Sequence, residues 1–164
     1  MNEREDLERF SQLAIDLGAT DAKPIKVSDV IVRDWVRLKC QYGCSGYGKR
    51  LTCPPYSPTP DQFRKILEGY DWAILLKFKP RDLDRAQIKL HDVVAKLERE
   101  AFLAGYYSSF GLASGPCPYC EKCNLEICAY PELARPSMEA CGIDVYATVR
   151  KAGFNLEVVK SRDE

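Results

Sequence analysis

"GPCPYCEKCNLEIC", residues 115–128, sets four cysteines within fourteen residues, the first three at intervals of two. A disulfide framework, a zinc ribbon and a cradle for an iron–sulfur cluster are the three readings of such a run. Each implies a different fold, because each asks the chain to converge on a different object. The chain carries eight cysteines in 164 residues, below the density of a disulfide scaffold, and it is long enough to bury a core without staples. The opening "MNEREDLERF" is charged and unlike a signal peptide, so a reducing, cytoplasmic setting is expected, where clustered thiols serve as metal ligands.

Spacing separates the metals. A zinc ribbon draws two ligands from each of two C-x2-C turns onto one tetrahedron, and a third cysteine after two more residues fits one knuckle poorly. It suits a cubane, where one tight loop offers thiolates to three iron corners. The run is close to the bacterial pattern C-x2-C-x2-C-x3-C-P, whose fourth cysteine ligates another cluster. Here the last gap is four residues, and Ala129 and Tyr130 stand between Cys128 and Pro131. Cys128 closing its own cluster and Cys128 crossing to a second one are both open.

A second group lies upstream: Cys40-x3-Cys44-x8-Cys53, followed by Pro54 and Pro55. Three thiolates can hold a cubane while leaving one iron without a protein sulfur. That iron either stays open to substrate or takes Cys128 or Cys141 as a fourth ligand. Gly43, Gly46 and Gly48 would allow unusual φ and N–H groups near sulfur, or simply a tight turn. Tyr42, Tyr47, Tyr56, Tyr119 and Tyr130 would shield a cluster or serve as packing aromatics. The single histidine, His91, reads as a helix-surface residue without a ligand role. Metal binding therefore rests on thiolates, which favours iron–sulfur over all-thiolate zinc.

Around these loops the chain reads as strands alternating with helices. Residues 3–17 carry a helical apolar stripe stopped by Gly18. "AKPIKV" and "VIVRDWVRLK" read as strands leading into Cys40. Thr59, Pro60 and Gln62 are a helix start with a capping box, with Phe63, Ile66, Leu67 and Tyr70 as the buried face. "DWAILLKFK" reads as a central strand buried on both faces. A long helix follows over about 83–104, stopped by Gly105. "YYSSFGL" reads as a strand, Pro136 to Gly142 as a short helix, and Asp144 as an N-cap. "FNLEVV" reads as a last strand. The expected architecture is a single α/β or α+β domain over 1–164, a small mixed sheet with helices packed on it and two cysteine-rich metal-binding loops.

Equal numbers of basic and acidic residues, 24 of each, argue against a nucleic-acid surface. "WAILL" is too short to cross a membrane. Neither a phosphate-binding glycine motif nor a cysteine–histidine catalytic pattern is present. The expected function is a 4Fe–4S protein with one or two clusters, transferring electrons to or from a redox partner protein. The alternatives are an enzyme or sulfur carrier working at an open iron, and a structural zinc-binding or interaction module.

The stretches "CQYGCSGYGKRLTCPPYSPTPDQF" and "GPCPYCEKCNLEICAYPELARPSMEACGIDV" together resemble a family of predicted metal-binding proteins, a domain of unknown function common in anaerobic bacteria and archaea. The resemblance runs from the first cysteine loop to about Gly153. It implies cysteine-bound metal, of the iron–sulfur kind, held by Cys40, Cys44, Cys53, Cys117, Cys120, Cys123 and Cys128. It implies no particular reaction. The family pattern does not reliably hold a cysteine at Cys141, which implies seven ligands and one incompletely closed site. Within "ARPSMEACGIDV", Arg135 with the helix start near Ser137 would bind an anion, and Glu139 would act as an acid or base beside an open iron. The plainer reading of that segment is helix capping and ion pairing, and it is the favoured one.

Overall fold

Glu3–Leu17 forms the first helix, α1, in the computed structural model, which describes residues 2–79 and 83–156. Its first turn holds Glu3, Glu5 and Asp6, where negative charge complements the helix dipole. Phe10 and Ala14, four apart, are its buried face. Gly18, at φ 126°, ends it by donating to the Ala14 and Ile15 carbonyls. The chain then enters β1 (Asp21–Lys26), which pairs antiparallel with β2 (Trp72–Lys77), Asp21 opposite Lys77 and Lys26 opposite Trp72.

Among the described residues the class is α+β, five α-helices with this two-stranded sheet. Helix α1 packs on the sheet and on α4 (Leu83–Leu103), the long helix expected over 83–104. Ile25 and Leu75 form one core cluster with Val149 and Ala152 of α5 (Val145–Lys151). Phe63, Cys141 and Ile143 form a second, and Val30, Met138 and Val145 pack against both. Strand β2 is not buried on both faces as expected; only Leu75 along it is fully buried. It has one partner strand, and a cavity of about 520 Å³ lies alongside it, lined by Phe10, Ile74, Leu76, Val94, Leu97 and Leu112.

Two expected helix starts are found. Thr59 accepts from the Gln62 backbone at 3.2 Å while the Gln62 side chain accepts from the Thr59 backbone at 2.9 Å, opening α3 (Pro60–Leu67). Asp144 Oδ1 accepts from the Ala147 N–H at 3.0 Å and opens α5. On α3, Phe63 is buried, but Ile66 is exposed rather than part of the buried face.

Three expected strands are corrected. "VIVRDWVRLK" divides at Asp34: Val32 keeps a single bridge to Ile143, and Trp35–Gly43 is a helix, α2. This helix buries only Val36, and its helically spaced Trp35, Leu38 and Tyr42 face solvent, so its apolar stripe marks no core contact. It is held instead by the Arg37 guanidinium, which donates to the Pro58 carbonyl at 2.7 Å and the Ala140 carbonyl at 3.3 Å. "YYSSFGL" is irregular chain wrapped on α4. The Gly111 N–H donates to Glu98 Oε2 at 2.7 Å, and a Cβ on Gly111 would lie 2.4 Å from Val94 Cγ1. In "FNLEVV", residues 154–156 form no strand, and the rest lies outside the described residues. The short helix expected from Pro136 is a single 3₁₀ turn, Glu139–Cys141, closed by Gly142 at φ 88°.

Candidate metal centre

None of the eight cysteines is joined in a disulfide. The first group is mounted on a helix end, not on the strand end that was expected. Cys40 lies in the last turn of α2, and Cys44 follows directly, its N–H donating to the Cys40 carbonyl at 3.3 Å. The loop then doubles back through backbone bonds from Gly48 N–H to the Pro54 carbonyl (2.8 Å) and from Cys53 N–H to the Arg50 carbonyl (3.0 Å). This return brings Cys53 to Cys44. A Cβ on Gly46 would sit 3.6 Å from Cys44 Sγ and 4.0 Å from Cys53 Sγ, so the missing side chain leaves space between two sulfurs. Of the three glycines, only Gly48 has a positive φ, 70°, and its N–H serves a carbonyl and not sulfur.

The thiols of this group act on one another electrically. Burial pushes the Cys40 thiol up, and the Cys44 charge adds to it. Burial likewise raises Cys53, with Cys44 and Cys40 adding, while Thr52 and Arg50 pull the other way. A cation placed among these thiols would favour their thiolate form.

The second group surrounds one small cavity, about 20 Å³, lined by Cys117, Cys120, Cys123 and Cys128 together with Arg50 and Thr52. Cys128 therefore keeps company with its own loop. Burial raises the Cys117 thiol, opposed by the Tyr119 backbone and reinforced by Cys128. Among the described residues, no three His, Cys, Asp or Glu side chains are drawn around one point as a single ion requires. Four thiols ring a space here and do not clamp a centre.

The two groups share a wall. Thr52 lines the second cavity while its neighbour Cys53 belongs to the first group, and Arg50 donates to the Cys120 carbonyl at 3.0 Å. The positive charge of Arg50 bears on both Cys53 and Cys117. Sequence reasoning missed Arg50 and Thr52, since neither residue type stands out at its position. Their place in "RLTC", immediately before a cysteine, is the only signal available.

Tyrosines divide in role. Tyr119 donates to Asp92 Oδ1 at 2.6 Å, which ties the second loop to α4, and packs 5.7 Å from Tyr130, which lines the cavity. Tyr42, 80% exposed, and Tyr56, also exposed, shield nothing. His91 corrects the expectation of a surface residue. It is 0% exposed, edge-on to Tyr119 at 6.0 Å, and neither ring nitrogen has a hydrogen-bond partner of good geometry.

Arg135 is not available to an anion. Its guanidinium donates to both Glu98 oxygens at 2.6 Å and lies over the Phe110 ring, and the nearby 3₁₀ turn is only three residues long. Ion pairing, the plainer reading of the segment, describes it. Cys141 is 0% exposed between Phe63 and Ile143, and burial pushes its thiol up to about 12. It packs as a small apolar residue.

An α+β chain that brings seven thiols to two adjoining loops has the make-up of a cysteine-rich metal-binding protein. The chain belongs to the family described as "Predicted metal-binding protein (DUF2284)", whose model matches residues 23–164. The match begins in β1 and so reaches beyond the two cysteine loops on which the sequence resemblance rested. No curated protein and no solved structure matches the chain.

Proposed function

We propose that this protein holds two iron–sulfur clusters side by side and passes electrons between them and a redox partner, as one cytoplasmic domain. The carrying observation is the shared wall at Thr52 and Cys53, which sets a four-thiol ring against a three-thiol group. Cys117, Cys120, Cys123 and Cys128 would hold one 4Fe–4S cluster, and Cys40, Cys44 and Cys53 the other. A bound cluster supplies one-electron chemistry at an iron centre.

The donor set fits. Thiolates select iron–sulfur or zinc, and a ring of thiols around a space offers one sulfur per iron, whereas tetrahedral zinc needs four donors at about 2.3 Å from one point. Gly46 leaves room between two sulfurs. Arg50 places a fixed positive charge between the groups, where it favours the more negative, reduced state of each. A second reading, catalysis at an open iron, draws on the first group's having three thiols with Cys141 committed to the core.

Purification without oxygen, with iron, acid-labile sulfide and zinc measured per chain, tests the proposal. Brown protein that bleaches with dithionite and gives an EPR signal on reduction is expected. Colourless protein with stoichiometric zinc, or protein lacking both iron and sulfide, overturns it.

A further inference from the structure

Glu139 is the first residue of the 3₁₀ turn, and its Oε2 is buried without a hydrogen-bond partner. Buried polar atoms are nearly always paired, and an orphan calls for an explanation such as an ion. Its surroundings supply one. Two separate legs of the three-thiol group are fastened to Ala140, the residue next to it. Arg37, one helical turn before Cys40, donates to the Ala140 carbonyl at 3.3 Å. Ser57, four residues after Cys53, donates to the same carbonyl at 2.7 Å, and its own N–H is bonded to the Cys53 carbonyl at 3.1 Å. The turn itself is pinned by Ser137 Oγ, which accepts from the Ala140 N–H at 3.0 Å.

These bonds hold Glu139 beside the Cys40 edge of the group. Arg37 turns Nη1 to the Pro58 and Ala140 carbonyls, and Glu139 Oε2 takes no hydrogen bond from it. Cys141, the one residue of this turn with a sulfur, packs with Phe63 and Ile143 in the core. The turn therefore presents the three-thiol group with a carboxylate and withholds a thiol. The charge of Glu139 also bears on the Cys40 thiol, as the smallest influence after burial, Cys44 and the opposing Arg37.

We infer that Glu139 is the fourth protein ligand of the three-thiol site, a carboxylate oxygen on the iron that Cys40, Cys44 and Cys53 leave without sulfur. The inference rests on the reading that those thiols hold a cluster. It gives the site three soft donors and one hard one. The oxygen-bound iron is the corner held least strongly by a soft-donor site, and so the first to leave on oxidation.

Wild type, Glu139→Gln, Glu139→Cys and Cys40→Ser proteins, all purified without oxygen, test this by iron and sulfide content, Mössbauer and EPR spectroscopy. Wild type is expected to show one iron with an oxygen-type isomer shift, converted to a sulfur-type shift in Glu139→Cys. Glu139→Gln is expected to lose roughly one iron per chain from a 4Fe–4S cluster, leaving a three-iron cluster whose EPR signal appears once ferricyanide removes one electron. On mild ferricyanide oxidation, wild type should reach that three-iron signal sooner than Glu139→Cys. Iron content and spectra unchanged in both Glu139 variants, with Cys40→Ser losing iron, would overturn the ligand role alone. Cys40→Ser with undiminished iron and sulfide would overturn the cluster reading with it.

Discussion

His91 is a fully buried imidazole with neither ring nitrogen in a hydrogen bond of good geometry. Burial holds its pKa below the ordinary 6.5, against weaker opposing pulls from the Ser114 backbone and the Asp92 charge. The unfolded chain takes a proton near 6.5, and the folded chain only at lower pH. Between those values the unfolded state binds more protons, so stability falls as pH drops from about 6.5 toward the folded pKa, by at most about 1.4 kcal/mol per pH unit. Denaturant midpoints measured from pH 7.5 to pH 5 should therefore fall in wild type, and fall less steeply in His91→Leu. A second residue-scale expectation concerns Glu98, which takes both arms of Arg135 with side chains 16% and 12% exposed, and the Gly111 N–H as well. Glu98→Ala strands a shielded guanidinium and should cost about 3 kcal/mol in urea unfolding. A double-mutant cycle with Arg135→Met should recover much of that loss. The sequence marked Arg135 and favoured its ion pairing; its partner, 37 residues upstream, left no trace in it.

At the scale of elements, legibility follows the range of the bonds that build each one. The start of α3 is written in residues 59–62, because Thr59 and Gln62 satisfy each other's backbone groups three positions apart. Thr59→Ala should lower stability by about 1 kcal/mol, read as a shift in the thermal or urea midpoint. Helix α2 carries no such local mark. Asp34 stands at its N-cap position without a side-chain cap, and pairs instead with Arg64 of α3. The β-branched run before it, "VIV", pulls a local reading toward strand, and contacts with residues 58 and 140 decide for helix. The turn at Gly142 depends on a close approach as well as on φ: a Cβ there would lie 2.8 Å from Pro60 Cγ. Gly142→Ala should thus destabilise by more than the roughly 1 kcal/mol of an ordinary glycine replacement and loosen the contact between α3 and the turn that carries Glu139.

For the whole molecule, the adjacency of the two thiol groups matters more than either alone. Arg50 sits by both, so on the proposed two-cluster reading Arg50→Leu should move the reduction potential of each cluster to more negative values, since a reduced cluster would gain negative charge beside a lost cation. Redox titration followed by EPR checks this, and a shift confined to one cluster would contradict the shared wall. The sequence by itself determined the thiol inventory and its grouping in two clusters of cysteines, and the helices whose caps or stripes lie within one or two turns of chain. Those features depend on residue identity and on neighbours three or four positions away. The tertiary structure alone decided that Cys128 lines its own loop's cavity, that Cys141 belongs to the core, that His91 is buried, and that Glu139 lies beside the Cys40 edge. Each of these depends on contact with a segment tens of residues away, residues 50–52 in the case of the Cys128 cavity, and such contacts have no period or spacing in the chain.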